Sequence, residues 1–316
     1  MKSFDGFKRG INLGGWLSQC DYTKEHMDSF ITEADFKAVA ALGADHVRIP
    51  FDYNILEDND GVFREEGFRY IDMALEMCEK YRLNAVLDLH KAAGFSFDKA
   101  EGESGFFESE LLQERFYALW EEIAFRYGSL HERAAFELLN EVTERSYCKI
   151  WNGIVKKCIS RIRPLAPETF ILVGSYWQNS AAAVKDLDAP FDERVVYNFH
   201  CYDPLIFTHQ GAEWTDQIDP AARISYADSG WGSQKFYEAF SEAVSFAEKN
   251  NAALYCGEYG VIDRAKPEDA LKWFKDINSV FEKYNISRCA WSCKQMDFGL
   301  LDKRMEPVID ELKQYL

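Results

Sequence analysis

No stretch of this chain approaches the ~20 consecutive apolar residues that a helix needs to cross a bilayer, which excludes a helical membrane protein. Positive charge is scarce: 36 Lys and Arg against 53 Asp and Glu leave a net charge of −17. Such a surface repels phosphate backbones, so nucleic acid is not an expected partner, whereas a neutral polysaccharide is not repelled. Cys-x-x-Cys is absent from the eight scattered cysteines, which leaves no zinc ribbon and no redox motif. They read as small hydrophobes kept reduced. No G-x-G-x-x-G follows the first strand run, and no glycine-rich cradle follows the last two. These absences count against a dinucleotide-binding sheet and a phosphosugar barrel. None of His26, His46, His131 and His209 has a His at i,i+4 or a Cys ligand pair, so no metal site is expected, and no cofactor. Pro-rich linkers, low-complexity tracts and charge blocks are missing too, so residues 1–316 read as a single domain and are expected to act as a monomer. The first seven residues contain no apolar signal core, which suggests a cytoplasmic chain or a secreted one whose signal has been trimmed.

What is present is an alternation of short apolar runs and amphipathic stretches. Runs at 9–13, 45–49, 84–89, 135–139, 170–173, 195–199, 253–256 and 288–291 read as buried parallel strands. Helical patterns occupy 32–42, 65–81, 109–127, 147–162, a weaker stretch at 179–185, then 234–249, 268–284 and 307–315. Eight of each is the count of a TIM (β/α)8 barrel, an α/β fold; a doubly wound open sheet is the alternative. From about 201 to 233, after the sixth run, neither pattern is strong. A loop that long, carrying Trp214, Trp231 and His209, is expected to cover the barrel mouth.

Polar residues collect where the strand runs end, at the face where barrels keep their active sites. They include Arg48, Asp88 and His90, Asn140 and Glu141, His200 and Tyr202, Glu258, and Trp291. Two carboxylates facing one cavity, Glu141 and Glu258, are the minimum needed to cut a glycosidic bond. Arg48 would keep a nucleophilic carboxylate charged, Tyr202 would orient it, and Asn140 would hold the sugar 2-hydroxyl. Trp291 would offer a flat floor to a pyranose ring. A buried polar network that merely closes the barrel top is the structural alternative.

Arg9-Gly10-Ile11-Asn12-Leu13-Gly14-Gly15-Trp16, His46-Val47-Arg48-Ile49-Pro50, Asp88-Leu89-His90, Leu139-Asn140-Glu141, Asn198-Phe199-His200-x-Tyr202, Gly257-Glu258-Tyr259-Gly260 and Ala290-Trp291 resemble, in order, the motifs of family-5 glycoside hydrolases. Phe207-Thr208-His209-Gln210-Gly211-Ala212-Glu213-Trp214 is similar to small clostridial-type endoglucanases that act on cellulose-like and mixed-linkage β-glucans. The resemblance implies a (β/α)8 glycoside hydrolase that retains anomeric configuration, with Glu141 as acid/base and Glu258 as nucleophile. It implies active-site roles for Arg48, His90, Asn140, His200, Tyr202 and Trp291, and the expected substrate contacts extend to Trp16 and Trp214. The implied activity is that of an endo-β-1,4-glucanase on β-glucan chains; an exo-β-1,3-glucanase, a β-mannanase and a non-catalytic carbohydrate-binding barrel are the alternatives. His90-Lys91-Ala92-Ala93-Gly94 departs from relatives that carry a second His or an Asn after the third-strand His. The stretch between Trp214 and the seventh strand is also shorter than in such relatives, which implies a more open cleft.

Overall fold

The computed structural model describes residues 1–316. Eight strands close into one parallel barrel in chain order: β1 (Arg9–Asn12), β2 (His46–Asp52), β3 (Asn84–Lys91), β4 (Ala134–Glu137), β5 (Ile171–Val173), β6 (Val195–Cys201), β7 (Ala253–Tyr259) and β8 (Ser287–Ala290). Each strand expected from the sequence is present.

Long helices follow β2, β3, β4, β6 and β7 and pack on the outside of the barrel. The helix Pro267–Tyr284 shows why such segments are helical. Pro267 begins it, Glu268 and Asp269 lie in its first turn, and Asn285 ends it at φ 53°. Ala270, Trp273, Phe274, Ile277 and Phe281 recur at helical spacing and are buried. Each large side chain so buried stabilises by roughly 1.5–3 kcal/mol. Two expected helices are not realised at that length. Residues 179–185 form a left-handed turn followed by a 3-10 helix, Ala181–Asp186, because Trp177, Gln178 and Asn179 take positive φ. At the C-terminus only Ile309–Leu312 is α-helical. No helix is long and apolar enough to cross a membrane.

The barrel interior is layered. Strand side chains alternate between faces, so every second residue points inward. Val86, Ala135, Leu172, Val196, Ala253, Tyr255 and Cys289 form an apolar floor with Phe4 and Phe7, whose stacked rings lie 4.4 Å apart. Two residues further along β3, β4 and β6 stand Asp88, Glu137 and Asn198, fully buried with Asn12 and Arg48. The interior therefore turns from apolar to polar toward the C-terminal ends of the strands.

Candidate active site

Arg48 is the centre of that polar layer. Its Nε and Nη2 donate to the two oxygens of Glu137 at 2.7 and 2.8 Å. Nη1 donates to Asn12 Oδ1 at 2.9 Å and to Glu258 Oε1 at 2.7 Å. Nη2 also reaches Asn140 Oδ1 at 2.8 Å and Asp88 Oδ2 at 3.0 Å. A guanidinium fork this fully engaged has one available orientation.

Glu258 is aimed by a break in register. Phe199 pairs with Cys256, but His200 pairs with Glu258, leaving Gly257 as an extra residue in β7. A Cβ at 257 would stand 2.8 Å from Asn198 Oδ1, so the position demands glycine. Asn198 Oδ1 accepts from the Gly257 N–H at 3.0 Å, and Asn12 Nδ2 donates to the Gly257 carbonyl at 2.9 Å. Tyr202 donates to the second oxygen of Glu258 at 2.9 Å. Glu141 lies four residues beyond the end of β4, at φ 44°. A left-handed glutamate is uncommon, and such backbone strain collects at functional sites. Its Oε1 faces His200 Nδ1 at 2.8 Å. Carboxylate oxygens of Glu141 and Glu258 and a nitrogen of His200 all lie within 4.8 Å of one another. By donor type these three residues could hold a divalent ion, but both Glu258 oxygens already accept hydrogen bonds.

The other expected residues fall into two groups. His90 donates to or accepts from Asp88 Oδ2 at 2.7 Å and stacks on Trp291, with rings 5.9 Å apart and 10° from parallel. Trp291 keeps a sliver of exposed surface, and a Cβ on Gly14 would meet its ring at 2.7 Å. Trp214 is 54% exposed. It joins the site through His209, whose ring lies 6.2 Å from Trp214 and 5.1 Å from Tyr202. The 201–233 loop is pinned rather than loose: Gln210 exchanges hydrogen bonds with Ile224 through both ends of its amide. Trp16 is a correction. It has no exposed surface, its indole N–H donates to the Met27 carbonyl at 2.8 Å, and its ring packs edge-on against Phe36. It is part of the hydrophobic core and presents no surface on which a sugar could stack.

Sequence reasoning passed over Glu137, Trp177 and Asn179. Glu137 did leave a signal, since a charged residue inside Ala135-Phe136-Glu137-Leu138-Leu139 cannot be buried without a partner. Trp177, 49% exposed, and Asn179, fully buried, share a turn whose left-handed backbone no residue preference announces.

Three carboxyl groups thus contact one guanidinium, and a fourth, Glu141, lies beside His200. Burial pushes Asp88 and Glu137 up to about 7, against the pull of Arg48. Glu141 stands well above the ordinary carboxyl range, first through burial and then through the charge of Glu258. Burial raises Glu258 too, but the charge of Arg48 and the Tyr202 hydroxyl oppose it, so Glu258 is the more readily ionised of the two. Burial holds His90 down to about 4 and His200 well below its usual value, so both imidazoles are neutral at pH 7.

One pH dependence follows from Glu137. A carboxyl whose folded pKa exceeds its unfolded value holds a proton that the unfolded chain has lost. Its stabilisation is complete below the unfolded value, roughly 4.3, and is lost as pH rises through about 7. Glu137→Gln cannot titrate, so its melting temperature should fall less between pH 5 and pH 7.5 than that of the wild type. Its melting temperature should also be lower throughout, because removing one partner of a buried ion pair costs up to roughly 3–5 kcal/mol. A pH slope as steep as the wild type's would show that Glu137 stays ionised over this range.

The family model for cellulase, glycosyl hydrolase family 5, matches residues 7–297. Cellodextrinase A of Ruminococcus flavefaciens is 57% identical over 283 residues, which cover 90% of this chain and 84% of that protein. Endoglucanase C of Acetivibrio thermocellus is 40% identical over 337 aligned positions, covering 98% of each. Among solved structures, the cellulose synthase subunit Z of Clostridioides difficile superposes with a TM-score of 0.83 at 27% identity, over 97% of this chain and 99% of that one. With the barrel and the paired glutamates, these likenesses place the chain in glycoside hydrolase family 5, the cellulase family, and make it a glycoside hydrolase.

Proposed function

We propose that this enzyme is a retaining endo-β-1,4-glucanase that hydrolyses β-glucan chains by double displacement, with Glu258 as nucleophile and Glu141 as acid and base. The observation that carries the reading is the close, unequal pair of carboxylates. Retention needs carboxyl groups ~5–5.5 Å apart, and inversion ~6.5–9.5 Å to admit a water. Oxygens within 4.8 Å suit the first. Arg48 and Tyr202 hold Glu258 as an anion aimed at the anomeric carbon, while Glu141 enters the reaction protonated. Glu141 protonates the leaving oxygen as Glu258 forms the glycosyl–enzyme bond. That bond removes the negative charge of Glu258, one of the causes holding the Glu141 pKa up. The Glu141 pKa therefore falls, so Glu141 stays ionised after giving up its proton and can deprotonate the water that releases the sugar. Asn140, with its amide nitrogen on the His90 side, would meet the 2-hydroxyl, and Trp291 would floor the ring.

A second reading, preference for short soluble cellodextrins over polymer, is favoured by the 57% identity to a protein named cellodextrinase. Product profiles on carboxymethylcellulose, barley β-glucan, cellopentaose, laminarin and mannan separate these possibilities. Early release of mixed oligomers from the first two supports endo action on β-1,4-glucan. Action confined to cellopentaose supports the second reading, and activity on laminarin or mannan alone would overturn both. Trp214→Ala should weaken polymer cleavage by about tenfold at most, because a stacked aromatic ring contributes roughly 1–3 kcal/mol and a sugar falls at the low end. Short aryl glycosides should be cleaved as before. A large drop in melting temperature with all substrates affected alike would show that Trp214 only packs its loop.

A further inference from the structure

His200 lies between the acid and a residue that no motif singles out. Its Nδ1 is 2.8 Å from Glu141 Oε1 and 3.7 Å from Glu258 Oε2. Its Nε2 is 3.5 Å from the side-chain amide nitrogen of Asn179. Both ring nitrogens are thus spoken for, one by the acid and the other by Asn179.

Asn179 is held for this contact with some force. Trp177, Gln178 and Asn179 have φ of 53°, 52° and 54°, three successive left-handed residues with no glycine among them. L-residues enter this region singly and at a cost. The turn is tied to the acid's own loop: the N–H groups of Trp177 and Gln178 donate to the carbonyls of Thr143 and Val142, each at 3.1 Å, directly after Glu141. Ser180 then pairs with His200 as an isolated parallel bridge, which sets Asn179 beside the imidazole. The Asn179 amide occupies the space a Cβ would take on Gly174, where that atom would stand 2.2 Å from Oδ1. Asn179 is fully buried, and its Oδ1 has no hydrogen-bond partner.

We propose that Asn179 is a positioning residue that fixes the tautomer of His200 and thereby aims the proton of Glu141 at the leaving oxygen, an inference that rests on Glu141 being the acid. A neutral imidazole has one donor and one acceptor nitrogen. When the Asn179 amide donates to Nε2, the ring proton sits on Nδ1 and is donated to Glu141 Oε1. That oxygen is then an acceptor, and the acidic proton of Glu141 resides on Oε2, free for the substrate. In the opposite tautomer Nδ1 accepts, and the Glu141 proton is drawn toward His200 and away from the glycosidic oxygen. Of the charged groups around the imidazole, Glu258 and Arg48 are held by each other, so neither chooses the tautomer as directly as Asn179 does.

The test reads the tautomer itself. In 15N-histidine-labelled protein, with the His200 signals assigned by His200→Gln, wild-type Nδ1 should be pyrrole-like and Nε2 pyridine-like. Asn179→Asp replaces the amide donor with an acceptor and should reverse the two. The same variant should slow hydrolysis of cellotetraose by about tenfold or more, since general acid catalysis supplies ~10²–10⁴. It should change kcat/KM for a dinitrophenyl cellobioside less than about twofold, as that leaving group needs no proton. A wild-type His200 protonated on Nε2 would overturn the proposal, even if the variant failed to fold. So would an Asn179→Asp enzyme with an unchanged tautomer, or one that lost both substrates equally. The Glu141 assignment would fail differently, through a Glu141→Gln enzyme with full activity on cellotetraose.

Discussion

Glu258→Ala is expected to lower turnover on the order of 10⁴-fold or more, and added azide is expected to restore part of it with an α-glycosyl azide as product. The carboxylate is held on one face of the sugar, and its removal leaves a gap into which a small anion fits. Azide entering there attacks the anomeric carbon of a β-glycoside from the face Glu258 used, forms one bond, and cannot be displaced by a second step. The anomer of the product therefore reports the position of the missing group. The fold should survive, because Arg48 keeps Glu137, Asp88, Asn12 and Asn140. Loss of the buried Glu258–Arg48 pair should lower the melting temperature without unfolding the barrel, since Glu137 and Asp88 still balance the guanidinium. A β-glycosyl azide, or wild-type activity without azide, would remove Glu258 from the nucleophile's place.

The barrel was legible in the sequence because buried parallel strands and amphipathic helices differ in period and length, and eight repetitions average out local ambiguity. The glutamates were legible because each ends an apolar run at the functional face. What escaped notice escaped for separate physical reasons. Trp16 sits in a motif but points into the core, and a motif does not say which way an indole faces. Glu137 lies one strand repeat below the mouth, where a charged residue reads as a flaw in a strand until its partner Arg48 is seen 89 residues earlier. The expected helix at 179–185 fails at its start, because tertiary contacts to Val142, Thr143 and His200 hold three residues in a backbone region they would not choose alone. Strain of this kind is paid by the fold as a whole and leaves no local mark in composition.

Glu141 should behave unlike Glu258 in every respect that reports on proton transfer. Glu141→Ala is expected to slow cellotetraose hydrolysis by about 10²–10⁴, the range for a lost general acid. With a dinitrophenyl cellobioside the first step needs no acid, so a burst of dinitrophenol should precede a slow phase limited by release of the sugar from Glu258. Azide should speed that slow phase and yield a β-glycosyl azide, the anomer opposite to that from Glu258→Ala, because it now attacks the glycosyl–enzyme from the leaving-group face. The backbone gives this position a second signature. At φ 44° a residue with a Cβ is strained, and glycine is not. Glu141→Gly should therefore be more stable than Glu141→Ala by up to about 1 kcal/mol, while the two are equally slow on cellotetraose. If the glycine variant melts at the same temperature as the alanine variant or below it, the left-handed backbone at 141 is not a cost that the fold bears for its acid.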